Sequence, residues 1–170
     1  MEEVRKFKYQ NNQFNNLNFI DYEDNEVNIY DCFDYYQKID IINAMYCNSC
    51  HLTIDFEMST YLVTGPNILI IILNRGKRIE FNVKNNFVEY LNLDKYIEYK
   101  HTGVNYKLIG VITHIEESGI GGNFIAYCLD PLTNKWDKYN DAIMIEVINF
   151  KSEVIDFAMP YVLFYQKIQK

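Results

Sequence analysis

The chain has 170 residues and a mass of 20.3 kDa, enough for one domain with a real core or for a piece of a larger one. Apolar residues make up 49% and charged residues 23%, which excludes a disordered tail. With 16 Lys+Arg against 23 Asp+Glu, a net charge of −7 argues against a sequence-independent grip on nucleic acid, which runs on cationic contacts to phosphates.

The opening Met1-Glu-Glu-Val-Arg-Lys-Phe-Lys8 lacks the apolar stretch of a secretory signal, and the longest apolar run, Ile68 to Leu73, is far short of a bilayer span. The expectation is a cytoplasmic or nuclear protein with no nucleic-acid and no membrane partner. Four Cys in such a compartment read as thiols or metal ligands rather than as a disulfide framework.

Residues 1–16 are polar and Asn/Gln-rich, and are expected to be poorly ordered. Leu17 and Phe19 alternate with polar neighbours and suggest a short strand ending near Ile20. Asn28 can cap a helix, with Asp31 favouring its first turn. Ile29, Cys32, Phe33 and Tyr36 then fall at i, i+3, i+4 and i+7, a single apolar stripe that makes Cys32 a core thiol. From Thr53 to Val63 the composition turns β-like until Gly65-Pro66 breaks it. Ile68 to Leu73 reads as a strand buried on both faces, followed by the basic turn Asn74–Arg78 and an alternating strand at Ile79, Phe81 and Val83. Leu91, Leu93 and Tyr96 look like an anchored segment. Strands over Tyr106–His114, Asn123–Leu129 and Tyr161–Tyr165 complete the set. The fold class is therefore α+β, mostly antiparallel β, with a helix near the N-terminus.

Three stretches carry chemistry. In Cys47-Asn48-Ser49-Cys50 two thiolates stand at zinc-knuckle spacing, but a structural zinc wants four ligands, and Cys32 and Cys128 supply no second knuckle. His51 extends the string to C-x-x-C-H, a c-type haem attachment pattern. A half-built zinc site, a haem site and a bare turn all fit these residues. The other two stretches are Tyr106-Lys-Leu-Ile-Gly-Val-Ile-Thr-His114 running through Gly121-Gly122-Asn123-Phe124-Ile-Ala-Tyr127, and Trp136-Asp-Lys-Tyr-Asn140-Asp141 followed by Pro160-Tyr-Val-Leu-Phe-Tyr165.

Taken in order, these resemble the C-terminal part of the ubiquitin-specific protease catalytic domain, with its Y-x-L-x-[AG]-V-x-x-H, Gly-rich loop, G-H-Y-x-[AS]-Y, W-x-x-[FY]-[DN]-D and A-Y-x-L-F-Y. Upstream, Tyr46-Cys47-x-x-Cys50 is similar to the second zinc-ribbon knuckle, Pro66–Ile71 to the strand before L-K-R-F, and Leu91–Tyr96 to L-D-L-x-x-Y. The resemblance covers about residues 14 to 167 and implies a papain-like cysteine protease palm over 66–170, a fingers and helix region over 17–65, and a missing thumb half.

The family's chemistry needs a Cys nucleophile, a His that takes the thiol proton and returns it to the leaving amine, and an Asp or Asn that orients the His. No G-x-x-N-x-G-N-x-C box occurs in this chain, and neither Cys32 nor Cys128 has a nucleophile's context. The His slot of G-H-Y holds Asn123, whose carboxamide does not titrate near neutral pH. Asn140 fills the orienting position and Asp141 follows it. His114 matches a non-catalytic family His, and His51 and His101 fall away from the cleft.

The resemblance thus implies a pseudoenzyme, inactive as it stands, that binds ubiquitin or a family partner. Its tail channel would draw on Glu116, Glu117, Ser118, Gly121, Gly122, Phe124 and Tyr127, with the two Glu facing basic residues of ubiquitin's tail or simply solvated. The absent thumb predicts a partner or homo-oligomer over the uncovered palm face. Alternatives are a fragment of a longer cysteine-type deubiquitinase and a β-rich interaction scaffold without ubiquitin binding. No cofactor is expected, zinc being possible only with half of its ligands missing at Cys47 and Cys50.

Overall fold

A computed structural model describes residues 26–58, 60, 62–73, 84–97, 104–116, 122–156 and 159–169. In chain order β1 (Glu26–Asn28) runs into α1 (Ile29–Tyr36), then come β2 (Asp40–Cys47), β3 (Leu52–Met58), β4 (Ile68–Ile72), β5 (Lys84–Asn86) and β6 (Tyr90–Asn92). A 3-10 turn at Asp94–Tyr96 precedes β7 (Asn105–Glu116), β8 (Gly122–Leu129), β9 (Trp136–Asn140) and β10 (Ile143–Glu146). A π-type turn at Lys151–Ile155 then leads to β11 (Pro160–Lys167). No helix among the described residues is long and apolar enough to cross a membrane.

The predicted cap forms at the start of α1. The Tyr30 N–H donates to Asn28 Oδ1 at 2.9 Å, and the Asn28 N–H donates back to Asp31 Oδ2 at 3.0 Å, so two otherwise orphaned donors are satisfied reciprocally. The stripe is also as read, with Ile29, Cys32 and Phe33 buried. It packs against the residues that flank the main sheet: Phe33 meets the Tyr96 ring at 5.0 Å, and Lys95 reaches Asp34 at 2.6 Å.

The main sheet has the order β10-β9-β8-β7-β11-β4, antiparallel at each of these pairings, with β6 also hydrogen-bonded to β7. β7 is its spine. One edge of β7 pairs with β11 from Tyr106 to Thr113, while the other edge is shared, β6 taking Asn105–Lys107 and β8 taking Gly110–Glu116. A register shift beside Gly110 changes which positions point inward, from Tyr106 and Leu108 before it to Val111 and Thr113 after it. A Cβ on Gly110 would lie 3.3 Å from Phe164 Cδ2, so there is little room for a side chain beside the shift.

The core joins Tyr106, Leu108, Val111, Ile125, Tyr127, Leu163 and Tyr165 of this sheet to Ile29, Phe33, Leu91, Leu93, Tyr96 and Val154 around it. Buried phenols need partners. The Tyr106 hydroxyl donates to the Pro66 carbonyl at 2.8 Å and the Tyr165 hydroxyl to the Val88 carbonyl at 2.6 Å.

Two expectations are corrected. Ile68–Leu73 does form a strand, but not one buried on both faces: β4 ends the described sheet, pairs there with β11 alone, and buries Ile71 and Leu73 while Ile68 is 45% exposed. An unbroken Ile/Leu run does not distinguish a central strand from an end strand. The β-like stretch from Thr53 stops at Met58 and pairs with β2, a strand that Asp40, Asn43 and Ala44 hide from pattern reading. Among the described residues β2 and β3 pair only with each other, and Ile41, Met45, Tyr46, Leu52, Ile54 and Met58 are exposed. The segments expected to be poorly ordered (1–16) or to form strands at 17–20 and 79–83, and the basic turn, lie outside the described residues.

Candidate functional site

The β7–β8 hairpin sets out the cleft positions by register. Glu116 pairs with Gly122, Ile115 with Asn123, and His114 with Phe124. Strand alternation then separates the side chains. Asn123 lies on the face that carries the buried Ile125 and Tyr127, at the strand's exposed start. Phe124 lies on the opposite face, 61% exposed, within a cluster in which its ring centroid is 4.8 Å from His114 and 5.9 Å from Tyr161.

β9 brings the second polar position. Ala126 pairs with Tyr139, so one further step of the same register puts Asn140 across from Ile125, on the face of Asn123 and diagonal to it, at about 7–8 Å between backbones. Asn140 Oδ1 is buried and accepts no hydrogen bond in the structure. An orphaned buried acceptor costs about 1–3 kcal/mol. Asp141 adopts φ 51° at the first position of the tight turn into β10, a left-handed conformation that Asp tolerates better than most side chains. Neither the orphaned oxygen nor this turn geometry had a signal in the sequence.

Asn123 and Asn140 therefore lie diagonal to one another on one face of the sheet, and neither carboxamide can exchange a proton near neutral pH. His114 is on the other side of the sheet, held between Phe124 and Tyr161. His51 sits at the tip of the β2–β3 hairpin, where its Nδ1 is 3.1 Å from the Tyr46 hydroxyl. The described thiols offer no nucleophile beside Asn123. Cys32 is on the buried face of α1, with Asn85 Nδ2 at 3.6 Å from its sulfur. Burial, then the Asp137 charge, pushes the Cys128 thiol up, away from the anion that attacks.

Of the remaining channel positions, Gly122 opens β8 and the Glu116 backbone pairs with it, while Glu117, Ser118 and Gly121 lie outside the described residues, as does His101. Tyr127 is 2% exposed, a core residue whose phenol is pushed up by burial and then by Glu153. It underlies the strand, whereas Phe124 presents a surface.

The knuckle is a compact turn closed by the His51 N–H donating to the Cys47 carbonyl at 2.8 Å. The Cys47 sulfur accepts from the backbone N–H of Cys50, the Cys50 thiol and the backbone N–H of Ser49, which holds its pKa below the ordinary thiol value. Among the described residues no group of three or more His, Cys, Asp or Glu is arranged to hold a metal.

The pattern of the ubiquitin carboxyl-terminal hydrolase family matches residues 7–165. This chain belongs to that family. Among its relatives are ubiquitin carboxyl-terminal hydrolase Usp2 of Drosophila melanogaster, 25% identical over 145 residues, and ubiquitin carboxyl-terminal hydrolase 10 of Saccharomyces cerevisiae, 29% identical over 132 residues. These alignments cover 80% and 72% of this chain but 15% and 16% of the relatives, so this chain spans a small share of their length. A solved SAGA DUB module, Ubp8/Sgf11/Sus1/Sgf73 bound to monoubiquitin, superposes with a TM-score of 0.70 at 24% identity, covering 85% of this chain and 35% of that one. The α+β, mostly antiparallel fold of this ubiquitin-specific-protease-like domain is therefore the family's own.

Proposed function

We propose that this family member is a non-catalytic module that binds ubiquitin or another protein of the ubiquitin pathway. The observation that carries the reading is Asn123, a carboxamide at the general-base position, with Asn140 on the same face and His114 on the other. Hydrolysis of an isopeptide bond needs a group that takes a thiol proton and returns it to the departing amine. Binding needs neither.

In this reading the mouth of the β7–β8 hairpin receives an extended polypeptide tail. Glu116 and Glu117 pair with the tail's cations, Ser118 and Gly121 leave room for its backbone, and Phe124 packs on its apolar atoms. Tyr127 supports the strand from beneath. The exposed apolar residues of the β2–β3 hairpin add a second contact to the body of the ligand. Titration of isotope-labelled ubiquitin with the chain tests the reading. Shifts concentrated on the ubiquitin tail and hydrophobic patch support it, and an unchanged spectrum at high concentration of folded chain defeats it.

The relatives extend well beyond the matched region, which favours one second reading, a working part of a longer hydrolase. In that case a base has to come from outside these residues, because Asn123 cannot act as one. Cleavage of a ubiquitin–fluorophore amide by the chain joined to its upstream sequence, and not by the chain alone, would establish it.

A further inference from the structure

β10 ends the described main sheet two strands away from Asn123, and among the described strands its outer edge has no partner. We infer that this edge pairs with the same edge of a second copy of the chain, antiparallel across a two-fold axis at Met144, so that the main sheet continues from one copy into the other.

Ladder parity shows what the edge offers. The Val147 N–H donates to the Trp136 carbonyl at 2.8 Å, and β10 runs against β9 without a register shift, Ile143 opposite Asn140 and Ile145 opposite Lys138. In an antiparallel pair alternate residues turn both backbone groups to the same neighbour. Val147, Ile145 and Ile143 therefore bond to β9, while Met144 and Glu146 direct their N–H and C=O groups outward. Sheet edges in soluble proteins are commonly blunted by a Lys, a Pro or a bulge. β10 has none of these. Ile143, Met144 and Ile145 are each more than half exposed, and the strand's one charge, Glu146, is engaged by Lys135 at 2.7 Å.

Self-complementarity favours a second copy over any other strand. The apolar part of β10, Ile143-Met144-Ile145, reads the same in both directions. Antiparallel pairing centred on Met144 sets Met144 against its own counterpart on one face and Ile143 against Ile145 of the other copy, twice, on the opposite face. Because Met144 points its backbone outward, the two Met144 residues exchange both N–H to carbonyl bonds at the axis. Glu146 falls beside Ala142 and not beside its own copy. Slid by two residues, the same strands would set Met144 against Glu146 in one direction and Ile145 against Asp141 in the other, so the charges single out this register. Opposed residues share a face, so both copies turn the Asn123 side of the sheet the same way.

The contact is one short strand wide, so the dimer is expected to form and dissociate with concentration. Sedimentation velocity of the whole chain should show the mass moving from 20.3 kDa toward twice that value as concentration rises to the millimolar range. Amide exchange followed by NMR supplies the position, since the Met144 and Glu146 amides should gain protection over the same range. Met144→Lys and Met144→Glu should each be folded and monomeric, because like charges meet at the axis, and an equimolar mixture of the two should recover the dimer. A wild-type chain that stays monomeric, protection confined to other residues, or association that grows beyond two copies would each overturn the proposal. So would a dimer untouched by either charged variant, a mixture that stays monomeric, or protection of Met144 and Glu146 that arises only when an extended peptide of another protein is added.

Discussion

Gly65→Ala should destabilise the protein by a route that a second substitution can cancel. A Cβ at Gly65 would collide with the Tyr106 hydroxyl and lie 2.9 Å from Val104 Cγ1. Tyr106 cannot retreat, because its ring is fully buried between β7 and its neighbours and its hydroxyl is committed to the Pro66 carbonyl at 2.8 Å. Overpacking of this kind costs about 1–3 kcal/mol. The displaced hydrogen bond adds about 1 kcal/mol, giving about 2–4 kcal/mol in all. Tyr106→Phe alone loses the hydrogen bond and leaves the carbonyl unpaired, about 1–2 kcal/mol. Combined, the two should not add. Without the hydroxyl, the Cβ meets mainly Val104, and the double variant should be about 1–3 kcal/mol more stable than the sum of the single losses. Urea unfolding followed by fluorescence of Trp136, buried and stacked on Phe150 at 4.6 Å, reads all four proteins with one probe. Losses that add within about 0.5 kcal/mol would refute the reasoning, as would a neutral Gly65→Ala.

Asn28→Ala should cost about 1 kcal/mol by removing the acceptor for the Tyr30 N–H, and amide exchange in the first turn of α1 should accelerate with it. Asn140→Leu should leave stability unchanged or raise it by up to about 1 kcal/mol in thermal melts, because it deletes a buried oxygen that has no partner. A large loss would mean that the oxygen is bonded. Burial holds the Tyr165 and Tyr96 phenols well above the ordinary value of 10.0. A raised folded pKa gives stability that is complete below the unfolded value and is lost as pH rises past it, so urea midpoints should fall steadily above pH 10. Tyr165→Phe should flatten that fall, at a loss of about 1 kcal/mol near neutral pH. At the acid end, the Asp34 and Glu26 carboxyls are held below their ordinary values by bonds from Lys95 and from Asn86 and Lys84 respectively, so the stability they lend is lost as pH falls through the carboxylate range. These pairs are exposed, and added salt should weaken the acid effect.

Where local chemistry and tertiary placement agree, the sequence was readable. The α1 cap needs only Asn28 and Asp31, and its stripe needs only 3.6-residue spacing, so both appear at their expected residues. β7, β8 and β11 declare themselves by Val, Ile, Leu and Tyr, with glycines flanking the first two and Pro160 opening the third. Position 123 was legible as chemistry, since a carboxamide is not a base in any fold. Placement was harder. Ile68–Leu73 carries the same letters whether one or two strands flank it, and β2 is exposed along most of its length, so Asp40, Asn43 and Ala44 interrupt no buried face. Tyr127 reads as a channel residue by motif but is inward by alternation, one step on from the outward Ala126. The orphaned oxygen of Asn140 depends on what lies within about 3.5 Å in space, which no spacing along the chain encodes.

The divided edge of β7 has a consequence for how the chain comes together. β7, β8, β9 and β10 are joined by short connections and pair in sequence order, so this meander can zip from local contacts alone. β4 is different. Its sole partner among the described strands is β11, in a register that sets Ile68 against Gln166, 98 residues later in the sequence. Among the described strands, main-sheet pairing thus reaches the early half of the chain only through β11, beside the side-chain contacts of Phe33 with Tyr96 and of Tyr106 with Pro66. Among the described strands β4 has to wait for β11, which acts as the latch that draws this end of the sheet into place.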